Sequence, residues 1–264
     1  MTFDKILISG CSFSAGYGMP GGISDEKNWP NLLANKLGIN SITNVAKTGA
    51  NNHWIFLETI SAMMHNHYDL ILVQWSAIPR FNAKVGLELY SVDTMLDDDV
   101  NIVGHETIKK EWLMEIKNRL LRIHNDHWDI LDLVKYINVL IELQVRARQG
   151  KIFFINGLGP WSHDYFEKKQ ISLPNDLDHF TYNLLQVELR DDDEIFKLYD
   201  MIHENYAYYG GIQEQHWLNL YRPMTRLKID TIKSNDDHPG FESQPLFTDL
   251  FAQQIINKCV PPQS

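Results

Sequence analysis

Ser12 follows the apolar run Ile6-Leu7-Ile8 at the point where a strand would hand over to a turn. His238 stands near the other end of the chain, after Asp236-Asp237 and before Pro239-Gly240. A hydroxyl at a strand exit becomes a nucleophile when an imidazole within hydrogen-bond reach takes its proton. The imidazole in turn needs a carboxylate to hold its tautomer and stabilise the imidazolium, and either Asp236 or Asp237 could supply it. Gly16 and Gly18 after the serine permit a tight turn, which would leave Ser12 facing the crevice at the carboxyl ends of an open parallel sheet. Read singly, each end has a plainer meaning. Strand followed by Gly-x-Ser is common turn chemistry, and histidine beside aspartate is common on a solvated surface.

The elements that must bring these ends together alternate strand with helix over the first 80 residues. A strand at Ile6 to Ser9 is followed by a helix around Trp29 to Leu37, with Leu32, Leu33 and Leu37 on one face and Gly38 to end it. A short strand near Ile42 to Val45, a helix from about His53 to His65 and a strand from Leu70 to Gln74 come next, and Pro79 stops regular structure. Residues 81 to 104 read as irregular and acidic, and helices are expected near Glu106 to Ile123 and Ile130 to Arg148. Lys151 to Ile155 reads as a buried strand, residues 162 to about 225 as a mostly helical insertion, Arg226 to Ile232 as a last strand, and Gln244 to Asn257 as a closing helix. The pattern predicts an α/β fold: a three-layer α/β/α sandwich with a central parallel sheet of about five strands in the flavodoxin-like order 2-1-3-4-5. A single domain would span 1–264, with a helical insertion or cap over about 161–225 before the last strand.

Composition narrows the function. The net charge is −10, and acidic runs such as Asp97-Asp98-Asp99 and Asp191-Asp192-Asp193-Glu194 argue against a nucleic-acid surface. No basic segment followed by a long apolar stretch opens the sequence, and no stretch reads as a membrane span, so a cytoplasmic protein without membrane contact is expected. Cys11 and Cys259 stand at opposite ends and make no disulfide framework. His124 and His127 with Asp126 and Asp129 read as an acidic surface stretch, not a metal site, and no metal or organic cofactor is expected. Trp75 and Trp161, in loops after strands, could stack on a sugar ring, and Arg80 could meet a substrate carboxylate; core packing and ion pairing are the bland alternatives.

Taken together, Ser12 near the start, Gly49 after the second strand, a polar residue after the third and Asp-x-His-Pro near the end resemble the SGNH hydrolase superfamily, the GDSL-type esterases. Gly10-Cys11-Ser12 occupies the place of that family's Gly-Asp-Ser, with Cys11 for the aspartate, and Asn44 to Gly49 is similar to its Asn-to-Gly block. Its Gly-x-Asn-Asp block falls on Gln74-Trp75-Ser76-Ala77, and its Asp-x-x-His would put Asn235 where the acid belongs. The resemblance implies Ser12 as nucleophile, His238 as base and Asp236 as the favoured orienting acid. It also implies backbone N–H groups of Ser12 and Gly49 as oxyanion donors. Ser76 stands as the side-chain donor, with Asn51 or Asn52 as alternatives. Its implied activity is hydrolysis of short-acyl esters, O-acetyl groups on a carbohydrate included, through an acyl-enzyme. The alternatives are acyl transfer by the same triad and a catalytically silent module that binds a glycan or protein. A Ser12 Oγ within roughly 3.5 Å of His238 Nε2 under an open cleft is what the esterase requires.

Overall fold

An apolar run such as Ile6-Leu7-Ile8 suits the middle of a parallel sheet, where both faces of a strand are covered. The computed structural model describes residues 2–77, 80–85, 88–93, 126–158, 214–219, 222–232 and 238–259. Its strands are β1 (Lys5–Ser9), β2 (Ser41–Asn44), β3 (Leu70–Trp75), β4 (Arg80–Val85), β5 (Glu88–Asp93) and β6 (Lys151–Asn156). Its α-helices are α1 (Trp29–Leu37), α2 (Asn52–His65), α3 (Asp126–Arg146), α4 (Met224–Leu227) and α5 (Ser243–Cys259). β2, β1, β3 and β6 pair in that order, all parallel, which matches the first four positions of the expected order. The central strands are sealed: every residue of β3 is buried, as are Ile6 to Ser9 of β1. Helix pairs α1/α5 and α2/α3 flank the sheet, so the fold is α/β as the sequence predicts.

Two expectations are corrected. The segment Arg226 to Ile232 is no strand: Pro223 opens the short helix α4, and Thr231 meets Pro239 in an isolated antiparallel bridge. Proline fixes φ and lacks an N–H, which favours a helix start over a ladder. The place of a fifth strand beside β6 is taken instead by residues 217–219. Trp217 bridges Phe154 in parallel, and the Leu218 N–H donates to Phe154 O at 3.0 Å. Asn219 continues the ladder with its side chain: Oδ1 accepts from the Asn156 N–H at 2.8 Å, and Nδ2 donates to Asn156 O at 2.9 Å. A primary amide carries a donor and an acceptor like a peptide group, so it can stand in for a strand's backbone. These residues, read as part of a cap, belong to the sheet edge.

The second correction concerns residues 81 to 104, read as irregular: within them and at Arg80, β4 and β5 form an antiparallel pair from Arg80↔Asp93 to Val85↔Glu88. The alternation Phe81, Ala83, Val85 carries the period of two that a strand requires. The helix expected near Glu106 to Ile123 and residues 161–213 of the insertion lie outside the described residues.

The closing helix matters most for the site. The Trp29 N–H, at the start of α1, donates to Gln244 Oε1 at 3.1 Å, and Thr248 Oγ1 donates to Trp29 O at 3.4 Å. The Trp29 ring meets Phe251 edge-on with centroids 5.3 Å apart. α5 is thereby docked along α1, and the turn before it, which carries His238, is brought to the carboxyl end of β1.

The Asn219 substitute strand makes a measurable claim. Asn219→Ala leaves the buried Asn156 N–H without its acceptor, and urea unfolding is expected to show a loss of about 1–3 kcal/mol. An unchanged midpoint would show that water replaces the amide at no cost.

Candidate active site

Ser12 sits in a single helical turn that follows β1. The N–H groups of Ser14 and Ala15 both donate to Cys11 O at 3.0 Å, and the Tyr17 N–H donates to Ser12 O at 3.2 Å. The first N–H groups of such a turn have no carbonyl behind them. Among the described residues the Ser12 N–H makes no hydrogen bond, and neither does the Gly49 N–H, in the turn after β2. Gly49 adopts φ 77°, a conformation that favours glycine, and the Lys47 N–H donates to Gly10 O at 3.0 Å. That bond pins the Gly49 turn beside the exit of β1.

The Ser12 turn is held from several sides. Asn28 and Asn44 each donate a side-chain N–H to Ser14 O, at 3.2 and 3.0 Å, and Trp29 Nε1 donates to Phe13 O at 3.0 Å. Gly18 (φ 76°) lies so close to the turn carrying His238 that a Cβ there would stand 2.5 Å from Ile232 Cδ1. Across this contact His238 Nε2 lies 2.7 Å from Ser12 Oγ. With the imidazole proton on Nδ1, the Ser12 hydroxyl donates to Nε2, which is the arrangement a serine needs before losing its proton. Tyr17 lies against the imidazole with centroids 4.2 Å apart and planes 36° apart, and Phe13 meets it edge-on at 5.3 Å. The cavity beside the pair is lined by Ser12, Tyr17, Met19, His238 and Gln244 among others. At about 10 Å³ it holds roughly one water. His238 meets the distance requirement, while Ser12 itself is 2% exposed, so that among the described residues its hydroxyl is largely covered.

The structure sorts the other predicted residues. Ser12 and His238 come together, and Gly49 stands in a turn tied to Gly10. Trp75, expected on the substrate side, is 1% exposed and stacked near Phe154 with centroids 6.0 Å apart; as the last residue of β3 it packs in the core. Asn52, expected to bind substrate or oxyanion, spends its amide on the backbone of Ser76. Its Oδ1 accepts from the Ser76 N–H at 2.8 Å, and its Nδ2 donates to Ser76 O at 3.3 Å. Asn51 caps α2 by accepting the Trp54 N–H at 2.8 Å, while its Nδ2 has no acceptor among the described residues. Ser76 is buried at the end of β3. Asp236, Asp237, Asn235 and Trp161 lie outside the described residues, and so does the side chain of Arg80, whose backbone opens β4.

Sequence reasoning missed four residues that hold His238 or its turn in place: Gln244, Tyr17, Phe13 and Asp230. Gln244 donates through Nε2 to Pro239 O and Gly240 O, both at 3.2 Å, while its Oε1 takes the Trp29 N–H. Tyr17 and Phe13 flank the ring. Their only signal was position: Gln244 opens the last helix, and the aromatics sit within five residues of Ser12. Asp230 secures the same turn, since its carboxylate accepts from the N–H groups of Glu242 and Ser243 at 2.9 and 2.8 Å and from the Ser243 hydroxyl. Burial pushes the Asp230 carboxyl up, but those hydrogen bonds outweigh it and hold it below the ordinary aspartate value of 3.8. Beside the Gly49 turn, the Lys47 ammonium lies 4.2 Å from the Trp54 ring centroid, and burial raises the Glu58 carboxyl against a partial offset from Lys47. Among the described residues no three His, Cys, Asp or Glu side chains gather as a metal site would require, and no helix is long and apolar enough to cross a membrane.

No protein-family model matches the chain, and neither does any curated protein sequence. Solved structures similar to it include the psychrotrophic esterase EstA from Pseudoalteromonas sp., at 14% identity and TM-score 0.45, covering 96% of this chain and 97% of that one. The lipase/acylhydrolase from Enterococcus faecalis is similar at 12% identity and TM-score 0.45, covering 99% and 100%. The acetyl xylan esterase AlAXEase is similar at 11% identity and TM-score 0.44, covering 97% and 100%.

Asp230 predicts how acid acts on this region. A carboxyl lowered on folding stabilises in full above its unfolded value, and the contribution fades as pH falls from there through the folded value. Thermal midpoints measured from about pH 5 to pH 3 are expected to fall less steeply for Asp230→Asn than for the wild type. Parallel curves would show that Asp230 does not anchor the turn.

Proposed function

We propose that the chain is a serine esterase of the SGNH type acting on short-acyl esters. The observation that carries this is the 2.7 Å contact between Ser12 Oγ and His238 Nε2, made by residues from opposite ends of the chain. Ser12 Oγ attacks the ester carbonyl carbon while its proton passes to His238 Nε2, and the carbonyl oxygen becomes the oxyanion. The N–H groups of Ser12 and Gly49, unused by the described residues, receive that charge. Asn51 Nδ2 is the favoured third donor and Ser76 the alternative. Collapse breaks the bond to the alcohol, whose oxygen takes the proton from His238. A water then attacks the acyl carbon as His238 Nε2 takes its proton, and collapse breaks the bond to Ser12 Oγ, which takes that proton back from His238 as the acid leaves. Asp236 is the acid proposed to orient His238, with Trp161 and Arg80 toward the substrate. The small cavity and its aromatic wall favour an acyl group as short as acetyl, on a small molecule or a glycan. To seat it the Tyr17 side must yield, and Tyr17 is 38% exposed.

One observation favours a second reading, a silent binding module on the same fold: Ser12 is 2% exposed. Reactivity separates the two. The esterase hydrolyses p-nitrophenyl acetate and is labelled by a fluorophosphonate, and Ser12→Ala or His238→Ala each lower kcat by at least about 10³-fold. Wild-type and Ser12→Ala proteins with equal rates and no label would leave the binding module. An added alcohol that turns up as the acylated product would identify transfer in place of hydrolysis.

A further inference from the structure

The side chain of Gln74 lies directly beneath the Ser12 turn, at the next-to-last position of β3, with no exposure to solvent. Its Oε1 accepts from the Cys11 N–H at 3.1 Å and from the Ser14 hydroxyl at 3.0 Å. Its Nε2 donates to Trp75 O at 2.7 Å and lies 3.3 Å from Cys11 Sγ. A primary amide offers two lone pairs and two N–H groups, and all four are engaged. Backbone closes on this amide from both sides. A Cβ on Gly10 would stand 2.7 Å from Oε1, and one on Gly157, just past β6, 2.0 Å from Nε2. The exits of three neighbouring strands, β1, β3 and β6, therefore meet on one planar group.

We infer that Gln74 is a positioning residue for the nucleophile, an inference that rests on the esterase reading for its kinetic consequence. It grips residues 11 and 14, on either side of Ser12 and Phe13. Fixing both ends of so short a segment fixes the backbone of Ser12, and with it two directions: that of Oγ toward His238 and that of the N–H available to an oxyanion. Displacement of a reacting group by about 1 Å can cost on the order of 10²-fold in rate.

Two variants test this. Gln74→Met keeps the length and removes every hydrogen bond; kcat is expected to fall about 10²-fold with KM unchanged. Gln74→Glu keeps both acceptors for Cys11 and Ser14 but, ionised, cannot donate to Trp75 O. Its activity relative to wild type is expected to lie between the two and to rise as pH falls, because the protonated acid regains a donor. A residue that served stability alone would lower the melting temperature and leave kcat and this pH ratio unmoved. The imidazole ¹⁵N resonances of His238 give a readout that needs no turnover. In Gln74→Met they are expected to move to the Ser12→Ala values, as the Ser12 hydrogen bond is lost. If the wild type takes no fluorophosphonate label, the esterase reading fails while the resonances still judge Gln74. A cooperatively melting Gln74→Met with wild-type resonances overturns the inference, and so does one with wild-type kcat. If Gln74→Met does not fold, a Gln74→Glu whose rate and resonances match wild type at every pH overturns it.

Discussion

Trp29 makes hydrogen bonds in two directions from the start of α1. Its indole Nε1 holds Phe13 O in the turn that carries Ser12, and its backbone N–H holds Gln244, whose amide in turn holds the carbonyls just after His238. One buried residue thus touches the supports of both partners of a pair separated by 226 positions in sequence. Such a contact closes nearly the whole chain, and the ordering entropy of that closure has to be met by packing elsewhere. The stacked interior of α1, α5 and β1 supplies it, with Trp29, Phe247 and Phe251 fully buried. The Ser12–His238 geometry is a by-product of that docking.

The docking also explains which features were legible. Ile6-Leu7-Ile8 and Leu70 to Gln74 advertise buried strands by composition, and Ser12 and His238 advertise chemistry by type and place in the chain. Local patterns were enough for these. Gln74, Gln244 and Asn219 carry no such mark, because an amide reads as an ordinary polar residue until the three or four groups around it are known. Each has at least one partner on a distant element, and Asn219 stands in for a strand that no propensity would assign to it. Trp75 was open between substrate side and core for the converse reason. An aromatic at a strand exit can turn toward solvent or core, and here the neighbouring Phe154 gives it a ring to stack on. Residues 226–232 show local preference overridden in the other direction, since Pro223 and Asp230 commit them to a helix start and a capped turn.

Burial of the Ser12 hydroxyl has two opposed effects. Away from water, its hydrogen bond to His238 is electrostatically stronger and the imidazole is held by two aromatic rings. The same burial restricts what can reach Oγ. Gly18, in the loop that carries Tyr17, packs closely on Ile232, whose N–H donates to His238 O at 3.2 Å.

The borrowed backbone of Asn219 bears on how this molecule behaves in a crowd. An uncovered strand edge presents a row of N–H and C=O groups to which another polypeptide can add, the route by which folded sheets nucleate aggregates. At β6 that row is blunted where Trp217 to Asn219 lie along it. At the opposite margin β2 has no further strand beside it among the described residues, and Ile42 there is 37% exposed. With only four residues, β2 offers a short template for such addition.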